Sequence, residues 1–154
     1  MDVVLLIGLQ ASGKSTFARA HLVATHAHVS KDFFPSGARN KARRQAREIE
    51  SALGAGRSVV VDNTNPTRAD RAEIIAIARR AGARVHGYYF ESRLEACKAR
   101  NAKREGRSRV PDVALRATAR RLERPVREEG FDALFYVRAS SSGRFDVSPW
   151  KEDL

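Results

Sequence analysis

The stretch GLQASGKST, residues 8–16, decides the fold of this chain of 154 residues. It follows the apolar run VVLLIG at 3–8 and precedes a helical pattern that starts near Lys14. Residues 8–15 match G-x-x-x-x-G-K-[ST], in which the glycines let the backbone curl around a phosphate without a Cβ clash. The loop N–H groups and the helix N-terminus then face the anionic oxygens. This strand–loop–helix pattern predicts a nucleoside triphosphate site.

The side chains of this loop have separate tasks in such a site. Lys14 is expected to bridge the β- and γ-phosphates, and the Ser15 hydroxyl is expected to coordinate Mg²⁺. We take ATP as the nucleotide, although no motif for reading the base distinguishes it from GTP. The loop residues predicted to contact the nucleotide are Gly8, Gln10, Ala11, Ser12, Gly13, Lys14, Ser15 and Thr16.

Strand and helix patterns alternate along the rest of the chain. Apolar or β-branched runs predict strands at 3–8, 28–30, 58–62, 84–90 and 133–138. Helical patterns lie between them at 14–22, 40–53, 68–81, 94–104 and 112–122. We therefore predict an α/β P-loop NTPase fold of the nucleotide- or nucleoside-kinase type. It would have a five-stranded, mostly parallel sheet, helices on both faces and a helical lid, with ligands at the carboxyl ends of the strands.

One P-loop kinase domain is expected over residues 1–139, with the lid at about 98–124. The tail, residues 140–154, has the composition of turns and is expected to be poorly ordered. No apolar stretch approaches the length of a membrane span, and the acidic start MDVVLLIG argues against a signal peptide. The single cysteine, Cys97, excludes an internal disulfide framework and is expected to be buried and inert. These features predict a cytoplasmic protein without a membrane partner.

Basic residues outnumber acidic residues, and they are clustered. The chain carries 29 Lys and Arg against 18 Asp and Glu, which gives a formal net charge of +11. Residues 98–109 include six basic residues and one acid, and residues 39–47 include five basic residues and no acid. Such clusters attract polyanions such as nucleic acid, although a proteome that uses arginine on solvated surfaces gives the same excess.

Asp32 follows the predicted second strand in the sequence HVSKDFF. In a P-loop fold this strand end faces the γ-phosphate, where a carboxylate can take the proton of an attacking hydroxyl. Asp32 therefore favours a kinase with a hydroxyl acceptor, although it could instead cap the segment that follows. Phe33 and Phe34 beside it either pack in the core or stack on a base.

Asp62 ends the third predicted strand in the sequence VVVDNTNP. An acid at this position is expected to hold Mg²⁺ or its water shell together with Ser15. Asn65, a little further on, either contacts the substrate or caps the helix that starts near Pro66.

Arginines follow the fourth predicted strand in RNAKREGRSRVP, residues 100–111, where small P-loop kinases place a lid. Lid arginines offset the charge that spreads over a transferred phosphoryl group, and their planar fork matches phosphate oxygens. Arg100 and Arg104 are four residues apart, which puts them on one helical face, and both are predicted to contact the nucleotide. Arg107 and Arg109 lie on a connector that is expected to be mobile.

These motifs recur in the same order in the 5′-hydroxyl polynucleotide kinases, and the chain resembles the kinase domain of that family over about residues 3–138. The segments that carry the resemblance are GLQASGKST, VSKD, VVVDNTNPT, ARRAGARV, LEACKARNAKR, VP and EEGFD. The DNTNP element together with the RN-x-x-R lid is far more discriminating than the P-loop alone.

The resemblance implies roles for individual residues. Lys14 and Ser15 match the family's P-loop lysine and serine, and Asp32 matches its general base. Asp62 matches the acid near the acceptor hydroxyl, and Arg104 matches the lid arginine that contacts the transferring phosphate.

One departure from the family concerns the acceptor. The phage member of the family has an arginine, three residues after the general base, that helps to hold the acceptor, and Pro35 stands there in this chain. Lys31, Arg39 and Arg43 are the candidates to replace it.

The sequence thus predicts an ATP- and Mg²⁺-dependent kinase acting on the 5′-hydroxyl ends of DNA or RNA, in nucleic-acid repair or end healing. No phosphatase or ligase domain is expected in a chain of this length. A small-molecule hydroxyl kinase is one alternative, against which the net charge argues. An ATP-dependent switch or assembly factor is another, against which Asp32 argues. The four histidines show no metal-ligand spacing and receive no role.

Overall fold

The computed structural model describes residues 1–140 and 142–151. Within these residues six strands form one sheet in the order β2-β3-β1-β4-β5-β6. The strands are β1 (Asp2–Ile7), β2 (His26–Val29), β3 (Ser58–Asp62), β4 (Arg84–Phe90), β5 (Ala133–Ala139) and β6 (Phe145–Pro149). The first five are parallel, and β6 pairs antiparallel with β5. The predicted α/β P-loop kinase fold is confirmed.

The helices agree with the predicted ones to within about two residues at each end. They are α1 (Lys14–His21), α2 (Lys41–Gly54), α3 (Arg68–Arg80), α4 (Leu94–Ala102) and α5 (Asp112–Arg121). At the start of helix α3, the Thr67 side chain accepts a hydrogen bond from the Asp70 N–H at 3.1 Å. Capping residues of this kind mark helix boundaries in the sequence. In the described part of the chain, no helix combines the length and apolarity needed to cross a bilayer.

Strand β1 is the centre of the core, because its side chains alternate between two buried faces of the sheet. Val3, Leu5 and Ile7 belong to a cluster that includes apolar residues of α2 and α3. Val4 and Leu6 belong to the opposite cluster, which is built around Phe17 of α1. This packing fixes β1 between β3 and β4, so the loop that follows it emerges at the middle of the sheet edge.

A third, smaller apolar cluster joins the phosphate loop to the lid helices. Leu9, Cys97 and Leu115 are each at most 1% exposed and pack together. Cys97 is buried, as expected, and burial raises the pKa of its thiol. Asn101 closes the lid connector, since its amide donates to the Val110 carbonyl at 2.6 Å and accepts from the Val110 N–H at 3.0 Å.

The tail corrects the sequence-based expectation of a five-stranded sheet and poor order after residue 139. Residues Phe145–Pro149 form β6, and Trp150 is 5% exposed. The Phe145 ring packs on Phe17 at 5.3 Å, and the Arg124 guanidinium lies 4.6 Å from the Trp150 ring. These aromatic contacts order a segment whose Ser and Gly content is typical of turns. Residues 141 and 152–154, also part of that expectation, lie outside the described residues.

Candidate active site

The phosphate loop depends on two glycines with positive φ angles. Gly8 has φ +151° and Gly13 has φ +103°. A Cβ on Gly8 would lie 3.0 Å from Ser92 Oγ, and one on Gly13 would lie 3.0 Å from Phe145 Cε1. Ala11, between them, also has a positive φ of 63°. The loop therefore takes a path that side chains at its two glycines would disturb.

The strand ends on either side hold this loop in place. The Gly8 N–H donates to the Thr64 carbonyl at 3.0 Å, and the Leu9 N–H donates to Ser92 Oγ at 3.0 Å. Ser92 is itself oriented by its hydrogen bond to the Phe90 carbonyl at 2.7 Å. The loops after β3 and β4 thus position the phosphate loop from both sides.

Lys14 lies inside the loop and is only 7% exposed. Its Nζ donates to the carbonyl oxygens of Gly8 at 2.9 Å and Leu9 at 2.5 Å, and to Ser12 Oγ at 3.3 Å. Burial lowers the pKa of Lys14 from 10.5 to about 8, while the nearby Asp62 charge acts in the opposite direction. The ammonium group is therefore held by neutral oxygens in a poorly hydrated place, which suits it to receive an anion.

Asp62 is the point where three elements of the site meet. Its Oδ2 accepts a hydrogen bond from Ser15 Oγ at 2.7 Å and lies 2.8 Å from His28 Nε2. The parallel pairing of β1 with β3 places Asp62 opposite Leu6, two residues before the loop begins. Strand register therefore brings this carboxylate, which is 4% exposed, against the first turn of α1.

Asp32 lies in a short 3-10 turn, Lys31–Phe33, directly after β2. Ser30 caps the turn, and its Oγ accepts a hydrogen bond from the Asp32 N–H at 3.2 Å. The Asn63 side chain fixes the turn from β3, since its Oδ1 accepts from the N–H of the first turn residue at 2.9 Å. Asn63 also donates to Gln45 Oε1 on α2 at 2.6 Å. The turn is rigidly supported, while the Asp32 side chain itself is exposed.

Lid arginines approach the phosphate loop from the other side. Arg100 donates to the Ala11 carbonyl at 3.3 Å, and Arg104 donates to the Ser108 carbonyl at 3.2 Å. Arg104 follows the end of α4, so the expectation that it shares a helical face with Arg100 is corrected. Arg107, on the connector, donates to the Phe34 carbonyl and thereby ties the lid to the turn that holds Asp32.

Two cavities open around these side chains. The larger, of about 660 Å³, is lined by Lys14, Ser15, Asp32, Asp62 and Arg104, together with Gln10, Ala11, Thr16, Arg19, Phe33, Asn63, Thr64, Arg107, Ser108 and Val110. The smaller, of about 270 Å³, is lined by Ala11, Gly13, Thr16, Arg100, Arg104, Ala139, Gly143 and Phe145. Ala11, Thr16 and Arg104 belong to both, so the cavities adjoin. The structure thus brings Asp32, Asp62, Lys14, Ser15 and Arg104 together, as the sequence predicted.

Asn65, predicted either to contact the substrate or to cap the next helix, is buried at the edge of the sheet. It is 5% exposed, and its Nδ2 donates to the Leu6 carbonyl at 2.7 Å and to the Val61 carbonyl at 3.5 Å. Its φ of +44° turns the backbone so that the amide points back into the sheet edge. Asn65 therefore joins the ends of β1 and β3, and among the described residues it does not line either cavity.

The three candidates to replace the family arginine at Pro35 also lie outside the two cavities as lined by the described residues. Arg39 and Arg43 are exposed at the start of α2, and Lys31 is half-buried at the start of the 3-10 turn. Arg19 and Arg107 line the larger cavity instead. These two cations share the cavity with Asp32, Lys14 and Asp62.

Sequence reasoning missed several residues of the site. His28 showed no metal-ligand spacing, and its contact with Asp62 depends on the pairing of β2 with β3. The sequence analysis did not predict that Asn63 holds the turn that carries Asp32, or that Ser92 holds the phosphate loop. The position of Asn63 directly after Asp62 was the one usable signal, because polar residues at a strand end share the same edge of the sheet.

Comparison with family models matches residues 3–125 to the family described as AAA domain. The bifunctional polynucleotide phosphatase/kinase of Schizosaccharomyces pombe is 31% identical over 134 residues, which are 84% of this chain and 32% of that protein. The putative bifunctional polynucleotide phosphatase/kinase of Acanthamoeba polyphaga mimivirus is 29% identical over 167 residues, covering 99% of this chain and 37% of that protein. These two relatives confirm the resemblance found in the motifs. The chain spans about a third of their length.

A solved structure of a sugar kinase from Janibacter sp. HTCC2649 shares this architecture. It superposes with a TM-score of 0.67 at 20% sequence identity, over 88% of this chain and 85% of that one. At this level of identity the likeness shows the fold alone.

Proposed function

This chain belongs to the AAA domain family, and from that premise we propose that it is a kinase that transfers the γ-phosphate of ATP to the 5′-hydroxyl end of a nucleic acid. The observation that carries the proposal is the shared cleft of Lys14, Asp62, Arg104 and Asp32. A phosphate loop alone is common to all P-loop proteins and does not indicate which reaction they catalyse. An exposed carboxylate in the same cleft adds the proton acceptor that a hydroxyl nucleophile needs.

The donor binds along the phosphate loop, with its base in the smaller cavity. Lys14 exchanges its bonds to the Gly8 and Leu9 carbonyls for bonds to phosphate oxygens, which a cation in a poorly hydrated place binds strongly. Arg104 lines both cavities and Arg100 lines the smaller one, and both offset charge on the triphosphate. Phe145, on the wall of the smaller cavity, offers a ring to the base.

Ser15 and Asp62 fit a Mg²⁺ ion. They are oxygen donors joined at 2.7 Å beside the phosphate loop. Mg²⁺ is usually held by one or two carboxylates together with substrate phosphates, and the described residues contain no group of three or more His, Cys, Asp or Glu that could hold a metal by themselves. When bound, the ion supplies positive charge against the phosphate oxygens. Ser15 and Asp62 are the residues that would hold it.

Asp32 acts as the general base on the acceptor side. It takes the proton of the 5′-hydroxyl while that oxygen attacks the γ-phosphorus in line with the leaving oxygen of ADP. The cap from Ser30 and the Asn63 contact hold the turn that carries Asp32, so the carboxylate needs little reorganisation during the reaction. Arg104 and Lys14 offset the charge that develops on the transferred group.

A nucleic-acid acceptor accounts for the charge of the chain better than a neutral metabolite does. The net charge is +11, and Arg19 and Arg107 line the larger cavity together with Asp32. Cations placed around a cleft raise the local concentration of polyanions. The polynucleotide relatives support the same acceptor class. The proposal extends to ends produced during nucleic-acid repair in the cytoplasm.

The test is phosphate transfer from labelled ATP to a short 5′-hydroxyl oligonucleotide, set against a panel of sugars, nucleosides and aminoglycosides. Asp32→Asn is expected to lower turnover about 10²- to 10⁴-fold, because it removes the general base, with ATP affinity largely kept. Glu73→Gln changes an exposed acid on α3 and is the matched control, expected to act as the unchanged protein does.

The outcomes separate the candidate functions. Transfer to a metabolite but not to the oligonucleotide would make the protein a small-molecule kinase with the same donor site. ATP hydrolysis that no acceptor stimulates would favour a nucleotide switch. Near-normal turnover of Asp32→Asn would refute the proposed general base.

A further inference from the structure

Phe33 is an aromatic side chain left exposed at the edge of the proposed acceptor site. It is 60% exposed and lines the larger cavity, and it is the one aromatic residue among the large apolar side chains exposed in residues 1–140 and 142–151. Its neighbour Phe34 is 6% exposed and packs under the Arg44 guanidinium, 4.5 Å from the ring centroid. Of the two phenylalanines, only Phe34 is therefore buried in the core.

The Phe33 ring is supported from behind although it is exposed in front. The His28 ring meets it in a T-shaped contact, with centroids 4.9 Å apart and planes at 85°. His28 is in turn anchored by its Nε2, which lies 2.8 Å from the buried Asp62 carboxylate. The backbone of Phe33 belongs to the capped 3-10 turn that carries Asp32. A fixed ring loses little conformational freedom when a ligand covers it.

Chain position connects this ring to the reacting hydroxyl. Phe33 directly follows Asp32 and both residues line the larger cavity, so a group whose hydroxyl meets the Asp32 carboxylate can extend toward the Phe33 ring. In a nucleic-acid end, the sugar that bears the 5′-hydroxyl also bears a planar base. Arg107 lines the same cavity and can meet a phosphate of the strand.

We propose that Phe33 is a stacking platform for the first base of the acceptor strand, an inference that rests on the proposed function. Stacking on an aromatic ring accepts any base, because every base has a π-face. The platform therefore recognises that a base is present and not which base it is. It also favours ends whose first base is free, since a paired and stacked base must first be drawn out of the duplex.

The experiment pairs a change in the protein with a change in the substrate. Two short single-stranded 5′-hydroxyl oligonucleotides are compared, one with thymine and one with an abasic site at the first position. The unchanged protein is expected to favour the thymine end in kcat/KM by about 5- to 150-fold, the range for stacking of one base on an aromatic ring. Phe33→Leu keeps an apolar side chain but no ring, and is expected to remove most of this preference by raising KM for the thymine end.

Phe33→Tyr keeps the ring and is the matched control, with the preference retained. A second measurement does not depend on turnover. Phe33→Trp adds an exposed indole to a protein whose own tryptophan, Trp150, is buried, and the thymine oligonucleotide is expected to quench its fluorescence more than the abasic one does.

A full abasic penalty in Phe33→Leu would overturn the proposal, as would equal quenching by both oligonucleotides. Absence of transfer to any oligonucleotide would instead remove the proposed function and this inference with it. ATP affinity and unfolding of Phe33→Leu are expected to match those of the unchanged protein, because the side chain it replaces is exposed.

Discussion

Two buried cations, Arg71 and Lys14, have opposite kinds of hydrogen-bond partner in this fold. Arg71, on α3, is fully buried, and its guanidinium donates to both carboxylate oxygens of Glu129, at 2.8 and 3.0 Å. It also donates to the carbonyl oxygens of Asn65, Pro66 and Glu123. Lys14 is almost as buried, yet its hydrogen bonds in the described part of the chain go to neutral oxygens alone.

The difference distinguishes Arg71, whose charge has a structural role, from Lys14, whose charge is available to a ligand. A buried cation is tolerated when an anion and enough hydrogen bonds replace its water. The fold supplies both for Arg71, which connects α3 to the loops near the site. Lys14 donates hydrogen bonds but pairs with no carboxylate within the described residues, and burial lowers its pKa. A bound triphosphate would supply an anionic partner for Lys14.

The largest expected effect comes from removing the anion of the structural cation. Glu129→Gln leaves Arg71 buried without its counter-charge and is expected to lower the free energy of unfolding by about 3–5 kcal/mol, measured by urea denaturation. Glu123→Gln is the matched control, because its carboxylate is 47% exposed and lies 3.7 Å from Arg68, so a loss under about 1 kcal/mol is expected. Equal losses in both variants would show that Arg71 is not held by its charge partner.

The second effect concerns the cation kept for a ligand. Lys14→Met is expected to lower phosphate transfer about 10²- to 10³-fold, as loss of one group that stabilises transition-state charge does. Its free energy of unfolding without nucleotide is expected to fall by no more than about 1 kcal/mol, because the lost hydrogen bonds are offset by removing a poorly hydrated charge. A loss of unfolding free energy as large as that of Glu129→Gln would show that Lys14, like Arg71, has a structural role.

The smallest predicted effect is the uptake of a fraction of a proton when ATP binds. With a pKa of about 8, Lys14 in the free protein is mostly neutral at pH 8.5. A bound triphosphate favours the charged form and raises this pKa, so ATP binding is expected to take up protons at pH 8.5 and fewer at pH 7. Calorimetry without divalent ions, in two buffers of different ionisation enthalpy, measures the uptake.

Lys14→Arg is the control for that measurement. Arginine stays charged at both pH values, so its binding of ATP should take up no proton at this position. Uptake that persists in Lys14→Arg would assign the titration to another group.

The sequence predicted the fold because its signals are local. Residues 8–15 fix a strand–loop–helix path, and the continuous apolar run at 3–7 requires burial on both faces. Parallel strands then bring Asp32 and Asp62 to the same edge as the loop. The convergence of these residues could therefore be predicted from motif and strand order, while their roles stay predictions.

The features that the sequence left open or missed depend on contacts between distant segments or on backbone angles. Asn65 turns inward because its φ is positive, which no neighbouring residue indicates. The two adjacent phenylalanines at 33 and 34 could not be told apart, because the 3-10 turn and Arg44 decide which one is buried. Strand β6 was missed because β5 and the aromatic core order a segment rich in Ser and Gly.

The contact between Gly13 and Phe145 bears on mutational tolerance. A side chain at Gly13 would meet an unfavourable φ within the phosphate loop and a ring carried by the last strand. Relief of one constraint leaves the other in place, so no single compensating change elsewhere would rescue a substitution there. Two independent constraints thus require glycine at position 13, and the second comes from the tail that the sequence predicted to be poorly ordered.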